Sequence, residues 1–449
     1  MKVLLVAANM ETLPDPVFPL GLACVAASLK QRGIDCQVLD LCFAEDFRAE
    51  LESCLQRGAP GLVCLSLRNV DNVSYPNYIS YLPFYRRIVE TVRRLSSAPV
   101  VLGGSGFSLL PRQLMDYLGA DYGVVGEGET ALVELARAVA AGRGPAPGTI
   151  DKSPVPDLES LPAPDRSGFD NQAYFRLGGM GSIQTKRGCP FSCVYCTYPL
   201  IEGRKVRLRC PTSVCDEMET LLELGTDTFF FVDNTFNFPP GHTAAICREI
   251  INRRIKVRWS CYAHPGFVDL ELVELMQAAG CTGLEFGSDA ACQAMLDSLG
   301  KGFAVADLER VSAVCRRAGM KFCHSLLLGG PGETMATVRR SLETVQALEP
   351  TAAICMVGIR IFPDTALERT ARRQGLVDRD QDFLEPVFYL SGKIEDRILP
   401  YLENFASQNP TWIFPGLNIN MDRRLQSKLR RFGIKGPLWE YMRPGWQRR

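Results

Sequence analysis

In the run Arg187-Gly188-Cys189-Pro190-Phe191-Ser192-Cys193-Val194-Tyr195-Cys196, three cysteines recur at C-x3-C-x2-C spacing. Three thiolates on one short loop can hold three irons of a [4Fe–4S] cluster, whereas electron-transfer clusters normally take four cysteines. One iron is then left open for a substrate or cosubstrate. A structural zinc site is the alternative, but it needs a fourth ligand. The closest histidine, His242, lies 46 positions past Cys196, and Cys210 and Cys215 are oddly spaced for that role.

The chain around this loop has 449 residues, which argues for two or three domains. Most of its 17 cysteines stand singly in apolar segments, as Cys24, Cys64, Cys247, Cys281, Cys315 and Cys355 do, where a free thiol acts as a small hydrophobe. That usage fits a reducing cytoplasm. No stretch approaches the ~18 apolar residues of a membrane helix. Net charge is zero, yet residues 421–449 hold nine Lys/Arg against two Asp/Glu. Leu425, Leu429 and Phe432 recur there at helical spacing, so a terminal helix docked on the body is expected, without nucleic acid as a partner.

Up to residue 145, short apolar runs (3–7, 36–41, 61–67, 100–103, 122–125) alternate with amphipathic patterns (21–32, 85–95, 111–118, 129–141). This predicts an α/β fold with a doubly wound, Rossmann-like parallel sheet, which binds ligands beyond the carboxyl ends of its strands. Residues 146–175 are rich in proline and read as a linker. From 176 to 376 six further βα units follow, and the cysteine loop comes directly after the first. They predict a partial (β/α)6 barrel with its chemistry at the carboxyl ends of the strands. The aromatic segment 377–449 is expected to cap the barrel mouth. Tyr262 and His264, after the third barrel strand, are expected to face the cavity.

These motifs together resemble the radical S-adenosylmethionine (SAM) enzymes. The cysteine loop carries Tyr195 before its last cysteine. Asp233 and Asn234 end the second strand, where the family binds the methionine part of SAM. Phe286-Gly287-Ser288-Asp289 is similar to the ribose-side segment, with Asp289 for the usual glutamate. Leu328-Gly329-Gly330-Pro331-Gly332-Glu333 resembles the family's glycine-proline loop, and Phe362-Pro363-Asp364-Thr365 its P-G-T segment. The resemblance implies that Cys189, Cys193 and Cys196 hold the cluster, and that Tyr195, Asp233, Asn234, Asp289, Gly329, Gly330 and Pro331 serve SAM.

The N-terminal domain resembles that of the cobalamin-binding class of the superfamily. The resemblance rests on Leu20-Gly21, on Ser66, Arg68 and Asn69 after the third strand, and on Gly103-Gly104 and Gly126-Glu127. The first 241 residues contain no histidine, so this domain cannot offer cobalt an imidazole. Leu67-Arg68-Asn69-Val70-Asp71-Asn72 resembles the loop of the tryptophan-methylating branch, where an arginine lies under the corrin. A guanidinium has no lone pair to give and stays protonated.

The resemblance implies a cobalamin-dependent radical SAM methyltransferase using a [4Fe–4S] cluster, SAM and methylcobalamin. Its expected substrate is a small molecule, aromatic or apolar, methylated at carbon. It further implies a flavodoxin or ferredoxin electron donor and a cytoplasmic monomer. A non-methylating rearrangement, cyclisation or carbon–carbon coupling is the catalytic alternative, and a cobalamin or redox sensor the non-catalytic one.

Overall fold

The computed structural model describes residues 1–12, 15–152, 154–419 and 423–442. Six parallel strands form the first sheet: β1 (Val3–Ala7), β2 (Cys36–Asp40), β3 (Leu62–Ser66), β4 (Val100–Gly103), β5 (Tyr122–Val124) and β6 (Thr149–Asp151). Their order is β2-β1-β3-β4-β5-β6. Helices cover both faces, which is why β1 reads Val-Leu-Leu-Val-Ala and is buried throughout. The order reverses between β1 and β3, so a crevice opens beyond their carboxyl ends, where Ala7 pairs with Ser66. The proline-rich stretch contributes β6 to this sheet and a helix, Asn171–Gly178, beyond it. A helix at Phe47–Gly58, capped by the Asp46 carboxylate, joins β2 to β3.

Seven parallel strands build the second sheet: β7 (Gly181–Ile183), β8 (Thr228–Phe231), β9 (Arg258–Ala263), β10 (Cys281–Asp289), β11 (Lys321–Leu328), β12 (Ala352–Val357) and β13 (Trp412–Ile413). They follow one another in chain order across the sheet, with β7 and β13 at the edges, so the barrel is partial. The six units legible in the sequence are β7 to β12. The seventh strand is two residues long and comes from the C-terminal segment. Phe231 stacks on Phe236 at 4.4 Å, and Trp259 meets both edge-on at 5.0 and 5.2 Å.

The C-terminal segment covers the mouth only in part: Ser391 donates to the Gly329 and Glu333 carbonyls, beyond the end of β11, at 2.9 and 2.8 Å. Its last turn, Leu438–Tyr441, fills the barrel from the N-terminal ends of the strands, where Trp439 packs on Cys323 and Ala352. A single indole and one carboxylate complete a floor that six strands leave open. The helix Arg423–Arg431 forms, but Phe432 after it is 84% exposed, so only part of the apolar spacing docks. Trp446 and the arginines 443, 448 and 449 lie outside the described residues.

Gly104 ties the β4 turn to the loop after β3. Its φ is +93°, and a Cβ there would meet the Leu67 carbonyl oxygen at 2.7 Å. Gly104→Ala must displace that loop or strain the turn. A loss of about 1–3 kcal/mol is expected, read as a lower midpoint in urea unfolding.

Candidate active site

The carboxyl ends of both sheets face one cavity of about 1020 Å³. Its walls include Leu20, Gly21, Ser66, Arg68, Gly103, Gly104, Gly126 and Glu127 from the first domain. Tyr198, Phe230, Tyr262 and Glu285 face them from the barrel, and Trp439 from the C-terminal turn. Of the corrin-side residues expected from sequence, only Asn69 is outside the lining. With its amide oriented to satisfy its hydrogen bonds, Asn69 donates to the Arg68 carbonyl at 2.9 Å and accepts from the Arg68 guanidinium at 3.2 Å. It orients Arg68. Ser105 holds the same backbone, donating to the Arg68 carbonyl at 2.7 Å. Arg68 forms no ion pair among the described residues, and its charge acts on Tyr198 and Tyr262 across the cavity.

The cysteine loop leaves β7 through Gly188, whose φ of +93° and close approach to the Lys205 carbonyl exclude any side chain. The Gly188 N–H donates to the Glu202 carboxyl at 3.0 Å. Backbone N–H groups of Phe191 and Tyr198 face the sulfurs of Cys189 and Cys196. Burial pushes all three thiols up, Cys196 to about 12, while the Lys301 ammonium opposes the rise at each. Iron would displace those protons. Among the described residues no three His, Cys, Asp or Glu side chains converge on a single ion. The loop carries three of the four side-chain ligands that structural zinc takes. Its three thiols, backbone donors and buried cation suit an iron–sulfur cluster, which takes its sulfurs at separate corners.

Around the loop the expected SAM residues divide. Tyr195 donates its hydroxyl to the Asp289 carboxylate, which Lys301 also pairs, so the shorter arm of Asp289 is fixed beside the cysteines. Asn234 donates to the Gly188 carbonyl at 3.4 Å. Asp233 does not face an open pocket. It accepts from the Thr185 N–H at 2.8 Å, the Thr185 hydroxyl at 2.7 Å and the Lys186 N–H at 3.2 Å, clamping the chain after β7 to the end of β8. Gly329 and Gly330 donate their N–H groups to Glu333 at 2.5 and 3.2 Å, and the Pro331 carbonyl accepts from Ser298 at 2.6 Å. His264 also departs from expectation. It stacks on Phe191 at 4.5 Å, outside the cavity, and burial lowers it to about 4, so it is neutral.

Sequence reasoning passed over Lys301, Glu285 and Arg187. A lysine between two glycines and a glutamate inside the apolar run of β10 were the available signals. Glu285 is pushed up to about 7 by burial, which the Ser325 hydroxyl, donating at 3.0 Å, only partly offsets. Arg187 crosses between the domains. It pairs with Glu127 at 3.0 Å and Glu129 at 2.6 Å, and Arg207 meets Glu127 at 2.6 Å. Arg187, Glu127 and Glu129 are buried and Arg207 half-buried, so Glu127 borders the cavity with its carboxylate already paired.

Residues 6–136 match the B12-binding domain family, and residues 183–345 the radical SAM superfamily. Tryptophan 2-C-methyltransferase of Streptomyces laurentii is 33% identical over 442 residues, covering 82% of this chain and 74% of that protein. The chain belongs to the cobalamin-dependent radical SAM methyltransferases. A solved relative, the radical SAM methyltransferase TsrM from Kitasatospora setae with cobalamin and a [4Fe–4S] cluster bound, superposes with a TM-score of 0.86 at 27% identity. That match covers 98% of this chain and 97% of TsrM. Cytidylyl-2-hydroxyethylphosphonate methyltransferase of Streptomyces wedmorensis is 23% identical, covering 82% of this chain and 80% of that protein. As a member of the family, this methyltransferase uses cobalamin, SAM and a [4Fe–4S] cluster and methylates carbon.

In this methyltransferase, Arg187→Gln leaves two buried carboxylates short of a cation. Breaking such a pair costs roughly 3–5 kcal/mol. Calorimetry is expected to show the single unfolding transition splitting into two, because the lost contact lies between domains. Arg187→Lys should recover only part, since one ammonium cannot bridge both glutamates as a fork does.

Proposed function

We propose that the chain methylates an electron-rich aromatic carbon of a small molecule by polar transfer, with tryptophan the first candidate. The observation that carries this reading is Glu285, a half-buried carboxyl group on the cavity wall, pushed up to about 7. Replacing hydrogen by methyl on an aromatic ring releases a proton, and a carboxylate titrating near 7 is suited to take it. Hydrogen-atom abstraction would need no such acceptor. The tryptophan 2-C-methyltransferase relative and the solved TsrM with tryptophan substrate bound supply the candidate. Bound cobalamin supplies the methyl group and SAM replenishes it.

Cys189, Cys193 and Cys196 would hold the cluster, while Tyr195, Asn234, Asp289 and the 329–331 loop flank the SAM side. Arg68, turned by Asn69, would lie against the lower corrin face and exclude water without bonding to cobalt. The Tyr198 and Tyr262 phenols are driven well above their ordinary range and stay neutral. We further propose a monomer in a reducing cytoplasm, with flavodoxin or ferredoxin returning over-oxidised enzyme to use. All 17 cysteines are free, and no helix among the described residues is long and apolar enough to cross a membrane.

Anaerobic incubation of holoenzyme with tryptophan and methyl-deuterated SAM should place label on a ring carbon without matching 5′-deoxyadenosine. Unlabelled tryptophan would remove the substrate, and stoichiometric 5′-deoxyadenosine the polar route. The acceptor works ionised, so kcat/KM should climb as pH rises through about 7 and level off above it. Glu285→Gln should abolish that limb and cost about 10²-fold or more in kcat.

A further inference from the structure

The turn Leu438–Tyr441 reaches the barrel interior from below and is locked there by contacts specific to it. The Glu440 carboxylate accepts from Ser260 at 2.6 Å and Thr282 at 3.1 Å. Gly283 is bare of necessity, since a Cβ would meet Glu440 Oε1 and the Trp439 ring at 2.9 Å each. The Tyr441 hydroxyl accepts from Arg258 at 3.2 Å and donates to the Lys435 carbonyl at 2.8 Å. This docking delivers the indole of Trp439, only 5% exposed, to the cavity floor. Its N–H has no acceptor in hydrogen-bond geometry among the described residues, and its ring lies beside Gly283, two residues before Glu285 on the same face of β10.

The other groups around Glu285 are few. Ser325 on β11 donates to it, and the Tyr262 phenol on β9 and the Cys323 thiol on β11 feel its charge and stay neutral. No cation pairs with it among the described residues. An uncharged donor is then what can steer the carboxylate.

We propose that Trp439 is a positioning residue for methyl transfer, its indole N–H orienting the Glu285 carboxylate toward the substrate carbon. The proposal rests on the reading of Glu285 as proton acceptor. It makes the C-terminal turn a working part of the active site, so that the end of the chain sets the protonation of a strand residue some 150 positions earlier. A donor facing a carboxylate favours its charged form, and losing the donor disfavours it.

The test uses reconstituted holoenzyme carrying 5-fluorotryptophan, with Trp439→Phe to assign the Trp439 resonance. That fluorine signal should shift with pH about a midpoint near 7, and Glu285→Gln should hold it still. In rate profiles, Trp439→Phe should move the acid limb of kcat/KM up by about half a pH unit or more, with a smaller loss on the plateau. Ser325→Ala, which takes away the other donor and leaves the floor intact, should move the limb the same way. A resonance indifferent to pH overturns the contact. A titrating resonance with an immobile limb overturns the positioning role, and points to failure of the proton-acceptor reading rather than of the contact. If the resonance titrates and tryptophan is not methylated, only the substrate is wrong.

Discussion

Arg187 stands two residues before the first cluster cysteine and pairs with Glu127 and Glu129, which close the rim of the cobalamin-binding sheet. A methyl group crossing between two cofactors needs a fixed separation, and the covalent chain alone does not supply one. Residues 152–180, a proline-bearing stretch, separate the last strand of one sheet from the first of the next. The buried fork, together with the Arg360–Asp71 pair at 3.0 Å, supplies what the linker cannot. Its cost in desolvation is large, and it is recovered only in the geometry where both carboxylates are met together. Arg207 anchors the far oxygen of Glu127 and makes that geometry stiffer.

Behind this bridge the cavity is short of compensated charge. Glu202 and Glu285 on its wall, and Glu333 beside the glycine loop, are all raised by burial, the last two to about 7, while Arg68 has no ion pair among the described residues. Glu333 spends one oxygen on the glycine loop and leaves the other without a partner among the described residues. Such a site favours neutral acids near physiological pH, each able to give up or take back one proton at small cost. The barrel floor is alike, since its indole N–H is buried without a hydrogen-bond partner among the described residues.

Much of this was legible in residues alone. Short apolar runs and helical patterns located the strands of both sheets except β6 and β13, and thiol spacing located the cluster loop, because these signals depend on burial and ligation that each segment carries by itself. Asp233 misled for the complementary reason. Its place at a strand end was correct, but two backbone N–H groups and a hydroxyl reach it only once β7 and β8 lie side by side. His264 likewise finds Phe191 only in the fold. β13 is too short for any period to show, and Trp439 reads as one more aromatic in an irregular tail. Arg187 and Glu129 lie 58 positions apart, and nothing local to either names the other.

Two buried bridges at the domain seam, the Arg187 fork and the Arg360–Asp71 pair, would hold corrin and cluster at a single separation. Pulsed dipolar EPR between cob(II)alamin and the reduced cluster tests this directly. One narrow distance distribution is expected in the native chain and a broad one in Arg187→Gln. A broad distribution in the native chain, or a narrow one that survives the substitution unchanged, would contradict it.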